Sequence, residues 1–381
     1  MNFELSDDQN MAVENWRRFL EREIKPITDQ HRDKPFPKDV LKGLLRATCE
    51  YGVGNGWVPE EGGGLGLDFV TSGLLYEELA RVSADLAGAA FVNEGAAVKV
   101  FNAGSPELRE RYLEATLAGE LIGCSAISEP NAGSHVRGMR TKAVREGDTY
   151  RLNGEKLWIS NSSAADYTVA VALTGEQEFT MFLVDRDEHG FETREVEKLG
   201  LNSWSMGQVI FNDVVVPAKN ILGKVGGGLR ETMKGFERSR CFISLVALGL
   251  GRASLDASID YAQQRQAFGK PIGAHQLVQQ LIAEMAIELE ASRLMVFRAL
   301  SLLDLGAGSN VEAAMAKAFT TEAVQRITSK AIQVHGAFGV TSEFPVERHF
   351  RSARMLTIPD GTTQINNLII GRKLLGLDAF A

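Results

Sequence analysis

Ser125-Ala-Ile-Ser-Glu-Pro-Asn-Ala-Gly-Ser134 lies where one kind of sequence gives way to another in this chain of 381 residues. Before it, residues 5–119 carry helical periodicity. Ser6-Asp-Asp-Gln is a capping start ahead of Met11-Ala-Val-Glu-Asn-Trp-Arg-Arg-Phe-Leu20. Further helices are expected at 38–48, 69–82 and 106–117, divided by Pro35, Pro37, Pro59 and the glycines of 62–66. After it, 150–160, 166–173, 179–185 and 208–216 are short, rich in Val, Ile, Phe and Thr, and partly alternating, as half-buried strands are. Gly226-Gly-Gly228 marks a second boundary. Beyond it long helices return, with Leu277, Leu281, Met285 and Leu289 at i, i+4 spacing and similar stripes near 243–262 and 312–334. Such wide apolar faces suit a bundle that also buries a subunit interface. The expected fold is mainly α with a central β domain: an N-terminal helical domain (1–120), a middle β domain (121–230) and a C-terminal helical bundle (231–381).

Bulk composition narrows the function. With 44% hydrophobic and 24% charged residues the chain is globular. A net charge of −8 argues against a nucleic-acid partner, which needs a basic face. Cys49, Cys124 and Cys241 are widely spaced without a CxxC pair, which fits reduced thiols and gives no metal site. The start, Met1-Asn-Phe-Glu-Leu-Ser-Asp-Asp-Gln, is acidic and has no apolar leader, and no apolar run approaches the ~20 residues of a membrane span. A soluble, cytoplasmic protein is expected. Gly62-Gly-Gly-Leu-Gly-Leu67 invites a dinucleotide reading, but helices flank it and no strand precedes it, so a tight turn between helices is expected instead.

Five ordered motifs then resemble the flavin-dependent acyl-CoA dehydrogenases. The 125–134 segment is similar to Thr-Glu-Pro-x-Ala-Gly-Ser, with Ser128 for the usual threonine. The resemblance implies that Ser125, Ile127, Ser128, Gly133 and Ser134 border FAD, with Ser134 also touching substrate; His135, where many members carry Asp, is expected at the surface or in a cap. Gly154-Glu-Lys-Leu-Trp-Ile-Ser-Asn161 resembles the second flavin segment and implies contacts from Trp158, Ile159 and Ser160. Arg265-Gln-Ala-Phe-Gly-Lys-Pro-Ile-Gly-Ala-His-Gln276 resembles a third segment and implies that Arg265, Phe268 and Gln276 bind the cofactor, Arg265 reaching the FAD of a neighbouring subunit. Gln333, Gly336 and Ala337, and then Thr362 and Gln364, match further cofactor segments. Gly235-Phe-Glu-Arg-Ser-Arg240 resembles the CoA-contacting stretch and points to Glu237 and Arg240. The fold implied adds a β-barrel-like middle domain and a C-terminal four-helix bundle. The partners implied are an acyl-CoA substrate, an electron-transferring flavoprotein and three further copies in a homotetramer.

In Leu356-Thr-Ile-Pro-Asp-Gly-Thr-Thr-Gln-Ile365 the family's base is a glutamate, and this chain has Asp360, followed by Gly361 at the substrate. Aspartate is shorter by one methylene, ~1.5 Å of reach. Three readings stand: a working base for a substrate seated closer, such as a branched or alicyclic (cyclohexanecarboxyl-type) acyl group; a vestige in an enzyme whose base lies elsewhere; or a non-catalytic relative. Reductase and non-redox lyase or desulfinase chemistry on the same fold also stay open. Phe91 is expected near the floor of the acyl pocket, shortening it. Glu94 is either a solvated or capping residue or an inward-pointing second carboxylate. Leu201-Asn-Ser-Trp-Ser-Met206 departs from the family's pattern in the middle domain.

Overall fold

The computed structural model describes residues 4–379; Met1, Asn2 and Phe3 of the acidic N-terminal stretch lie outside the described residues, as do Phe380 and Ala381. The N-terminal helices are α1 (Asp7–Phe19), α2 (Lys25–Gln30), α3 (Lys38–Cys49), α4 (Phe69–Val82), α5 (Ala84–Ala103) and α6 (Pro106–Leu117). Ser6 caps α1 as expected: its hydroxyl accepts from the Gln9 backbone N–H while the Gln9 side chain accepts from Ser6. Trp16, fully buried, fixes α1 to α4 by donating Nε1–H to the Leu75 carbonyl at 2.9 Å. The glycines of 62–66 form the tight turn, with Gly63 and Gly66 left-handed (φ 81° and 58°).

Helix α5 is rich in Ala and Gly and is enclosed on nearly every side. From Leu86 to Val100 each residue is buried except Val92, Gly95 and Lys99. Those three recur at i, i+3 and i+7, so they form one stripe along the helix, on which Val92 packs against the buried cores and Lys99 donates to the Ser125 hydroxyl.

The middle domain is one sheet: β1 (Gly123–Ala126), β2 (Lys142–Glu146), β3 (Thr149–Ser160), β4 (Tyr167–Gly175), β5 (Glu178–Asp185), β6 (Glu192–Glu195), β7 (Met206–Pro217) and β8 (Ile221–Leu222), with the short α7 (Arg186–His189) after β5. The strand order is β6-β7-β3-β2-β4-β5-β8, and β1 adds to β4 in parallel. The four strands expected from the sequence are the long ones. β1, β2, β6 and β8 escaped because they are short, and because β2 and β6 show mostly exposed, charged side chains. Tyr150, Leu152, Phe182, Val209, Phe211 and Val216 belong to the buried core of the domain.

The C-terminal helices are α8 (Gly228–Gln264), α9 (Gln276–Asp304), α10 (Asn310–His335), α11 (Val346–Leu356) and α12 (Thr363–Leu375), with a β9–β10 hairpin (Gln266–Ala267, Lys270–Pro271) after α8. Helices α8, α9 and α10 pack on one another, with α12 along α10. By length and composition alone α8 could cross a membrane, but most of its apolar stretch is buried within the protein. It crosses α4 at Gly249, where an added Cβ would lie 2.5 Å from the Ala80 Cβ and the Glu77 carbonyl oxygen.

That close crossing is testable on one helix. Gly249→Val should lower stability by about 1–3 kcal/mol through overpacking, measured by urea unfolding. Gly235→Ala, where a Cβ meets nothing within 4 Å, should instead raise it by about 0.5–1 kcal/mol.

Candidate active site

Segments 125–134 and 154–161 are laced together by buried polar contacts. Lys156, with no exposed surface, donates to Glu129 Oε1 at 2.9 Å and to the Ile127 carbonyl at 3.0 Å. Glu129 also accepts from the backbone N–H groups of Arg140 (2.6 Å) and Thr141 (3.0 Å). Burial pushes the Glu129 carboxyl up, but Lys156 and these donors outweigh it and hold the group below its usual range. The Ser128 hydroxyl donates to the Leu157 carbonyl at 2.7 Å, and the Leu157 N–H returns a bond to the Ser128 carbonyl.

The pairing of β3 with β7 slips between Lys156 and Ile159, and Trp158 sits in that irregularity with φ 65°. A bulge re-aims a side chain, and a left-handed non-glycine residue carries strain. The result is an indole 53% exposed beside the Ser125–Ser128 segment. A strained, uncovered aromatic ring next to small hydroxyl residues suits a planar polar ring system such as a flavin. Asn161 (φ 64°) ends the turn, donating to the Ala89 carbonyl at 2.9 Å and accepting from Trp204 Nε1 at 3.0 Å.

Gly133 and Ser134 are exposed near this site, and so is His135, which carries no site contact. Arg265, Phe268 and Gln276 are exposed around the hairpin after α8. Twenty-five residues of α8 and its end separate Arg240 from Arg265, about 37 Å of helix, so the hairpin set lies far from Arg240 and the Asp360 charge beside it. Arg265 lies over the Phe338 ring at 5.7 Å, near exposed Gln333, Gly336 and Ala337. Thr362 caps α12 by accepting from the Ile365 N–H, and Gln364 is exposed beside it.

Asp360 occupies the turn between α11 and α12 with φ 54°, followed by Gly361 at φ 90°. Lys317, fully buried on α10, clamps this turn by donating to the carbonyls of Thr357 and Gly361, each at 2.8 Å. The Asn366 side chain adds a second bond to the Gly361 carbonyl at 2.8 Å. Burial raises the Asp360 carboxyl above its ordinary range, opposed by a hydrogen bond from Ser239 and by the charges of Lys317, Arg240 and Lys99. Arg240 is buried, bonds Asn310 Oδ1 at 2.7 Å and leaves its Nε–H without a partner among the described residues. Glu237 accepts from the Ser309 N–H ahead of α10.

Phe91 stacks on Phe242 (centroids 5.9 Å apart, 3° between planes), and Trp57 meets Phe242 edge-on at 4.2 Å. Glu94 is neither solvated nor a cap. It is fully buried, accepting from the Trp57 N–H and the Tyr76 hydroxyl at 2.7 Å each, and burial pushes its carboxyl up to about 7. Its inward-facing alternative came from the family resemblance of the 87–95 segment. Lys317 and Lys99 carried no sequence expectation, and Arg238 and Ser239 entered only within the run 237–240. The available signal for Lys317 was one lysine inside the apolar run Ala313-Ala-Met-Ala-Lys-Ala-Phe319.

Two outcomes are expected. Lys156→Met leaves Glu129 buried and unpaired, so it should cost about 3–5 kcal/mol and lower the ratio of flavin to protein absorbance. For Glu94 the folded value of about 7 exceeds the ordinary 4.5. The folded state therefore holds this proton more tightly, and the stability it contributes is complete below pH 4.5 and lost as pH rises through about 7. Glu94→Gln should flatten the stability profile across that window, measured by thermal melts at stepped pH.

Comparison with known proteins agrees with this geometry. The chain matches the acyl-CoA dehydrogenase N-terminal domain over 6–120, the middle domain over 124–214 and the C-terminal domain over 226–375. It is 36% identical to a probable acyl-CoA dehydrogenase of Bacillus subtilis, covering 98% of this chain and 100% of the relative. It is 35% identical to a glutaryl-CoA dehydrogenase of Desulfococcus multivorans, covering 99% of each. The structure of butyryl-CoA dehydrogenase from Megasphaera elsdenii superposes with TM-score 0.93 at 30% identity, covering 98% of this chain and 100% of that one.

Proposed function

The chain belongs to the acyl-CoA dehydrogenase family, and on that premise we propose that it desaturates a small acyl-CoA thioester at the α,β-bond with Asp360 as base. It is an FAD-dependent oxidoreductase acting on acyl-CoA. FAD, when bound, supplies the acceptor for the β-hydride. Ser125, Ile127, Ser128, Gly133, Ser134, Trp158, Ile159 and Ser160 are the residues proposed to hold it. Arg265, Phe268, Gln276, Gln333, Gly336, Ala337, Thr362 and Gln364 complete the set, the hairpin residues toward a neighbouring copy.

The observation that carries the choice of base is the clamped turn at Asp360. Its carboxylate accepts a hydrogen bond from Ser239, and Lys317 and Asn366 tie the backbone of the turn. Burial raises its proton affinity, which favours taking the α-proton from a weak carbon acid. The α-proton passes to the Asp360 carboxylate, the β-hydrogen leaves with its electron pair, and the double bond forms between the two carbons. Glu94 is the weaker candidate, because both of its oxygens already accept strong hydrogen bonds away from the turn.

The aromatic wall of Phe91, Trp57 and Phe242 supports a short acyl group. Open space at Gly95, where an added Cβ meets nothing within 4 Å, supports width, as a branched or alicyclic group needs. The unpaired Arg240 Nε–H, Ser134 and Gly361 support thioester contacts, and Glu237 supports them indirectly by fixing the start of α10. An electron-transferring flavoprotein as acceptor follows from the family reading. Exposed Leu277, Ile287, Leu294, Leu374, Leu375 and Leu377 support a homotetramer.

Anaerobic titration with butyryl-, isobutyryl- and cyclohexanecarboxyl-CoA tests the reaction. Flavin absorbance should bleach, and Asp360→Asn should slow bleaching by about 10²–10⁴-fold while FAD stays bound. Bleaching that survives Asp360→Asn but is lost in Glu94→Gln would transfer the base to α5. No bleaching with any thioester would point to reductase or non-redox chemistry.

A further inference from the structure

The cleft beyond Asp360 contains more positive charge than the proposed dehydrogenation uses. On α5 the partly buried stripe Val92, Gly95 and Lys99 borders it, with Lys99 within reach of the Asp360 charge. On α8 the partly buried Arg238 and Ser239 face it from the other side, Ser239 toward Asp360. The Arg238 guanidinium rests on the Trp57 ring at 4.9 Å and near Phe69 at 6.0 Å. Among the described residues it makes no hydrogen bond and no ion pair. Its closest opposite charge, Glu94, already spends both oxygens on Trp57 and Tyr76. Lys99 donates one hydrogen bond, to the Ser125 hydroxyl, and feels the charges of both Arg238 and Asp360.

We propose that Arg238 and Lys99 form an anion subsite in the acyl cleft, and that the substrate is a thioester whose acyl group carries a second, distal carboxylate. This rests on the acyl-CoA reading of the same cleft. Five guanidinium N–H donors and two of the three ammonium protons are uncommitted. A largely desolvated cation without a hydrogen-bonding partner is costly, and a planar fork is suited to a carboxylate. Trp57 fixes the plane of that fork by stacking. The open space at Gly95, between Val92 and Lys99 on the stripe, leaves room for the acyl chain to pass. Glu94 does not cancel the excess, since both of its oxygens already accept hydrogen bonds and burial raises its proton affinity to about 7. A fatty acyl chain would leave both cations buried against methylene groups.

The test uses the FAD-loaded protein and succinyl-, glutaryl- and adipyl-CoA, each beside its distal monomethyl ester, with binding read by calorimetry and dehydrogenation by bleaching. In at least one pair the acid should bind about ten-fold tighter than the ester or more, the scale of a charge-assisted pair. Arg238→Met should bring that ratio near one, Arg238→Lys should keep most of it, and Lys99→Met should reduce it. Esters binding as tightly as acids in the wild-type protein would overturn the subsite, a comparison that needs no variant to fold. Because calorimetry needs no turnover, an acid preference without bleaching would keep the subsite and reject the dehydrogenase reading. Bleaching without a preference would do the reverse.

Discussion

The ion pair between Glu129 and Lys156 is the constraint on which the cofactor site depends. Both groups are out of water, and an isolated buried pair of this kind is as often a cost as a gain. Here the carboxylate also accepts two backbone N–H groups and the ammonium also donates to a carbonyl, so the remaining valences are satisfied. With those valences met, the pair anchors β3 at Lys156, immediately ahead of the register shift in its pairing with β7. The bulge that turns Trp158 outward follows directly, and so does the placement of Ser128 against Leu157.

A second buried lysine organises the catalytic turn in a comparable way. Lys317 reaches from the core of α10 to two carbonyls of the segment 357–361 and, among the described residues, has no carboxylate at hydrogen-bond distance. Its charge acts on Asp360 at longer range. The turn keeps a left-handed aspartate because its backbone is tied from both sides, by Lys317 and by Asn366. A shorter base needs a substrate brought closer, and a rigid turn makes that distance a property of the fold. The aromatic wall at Phe91 and Phe242 works in the same direction from the far side of the cleft.

The cleft also shows why charged side chains on one helix can have separate duties. On α8, Glu237 and Arg240, one turn apart, both meet the start of α10, at Ser309 and Asn310, whereas Arg238 lies over Trp57. Four consecutive helical positions sweep almost a full turn. Residues adjacent in sequence therefore face different neighbours, and the run cannot be read as one patch.

Much of this was decided by the amino-acid sequence alone. Capping at Ser6, the apolar stripes and the long alternating strands are local patterns, and they gave the helical, β, helical order. The motifs around Ser128, Trp158 and Asp360 are contiguous, so the family and its cofactor were legible as well. Only the tertiary structure decided which charges meet. Glu94 is buried because Trp57 and Tyr76, remote in sequence, converge on it. Lys317 and Arg238 lie in stretches that look like ordinary helix, and their partners are supplied by elements far along the chain. Secondary structure follows from local propensity and periodicity, whereas the electrostatics of a cleft depend on long-range packing that no local window of sequence contains.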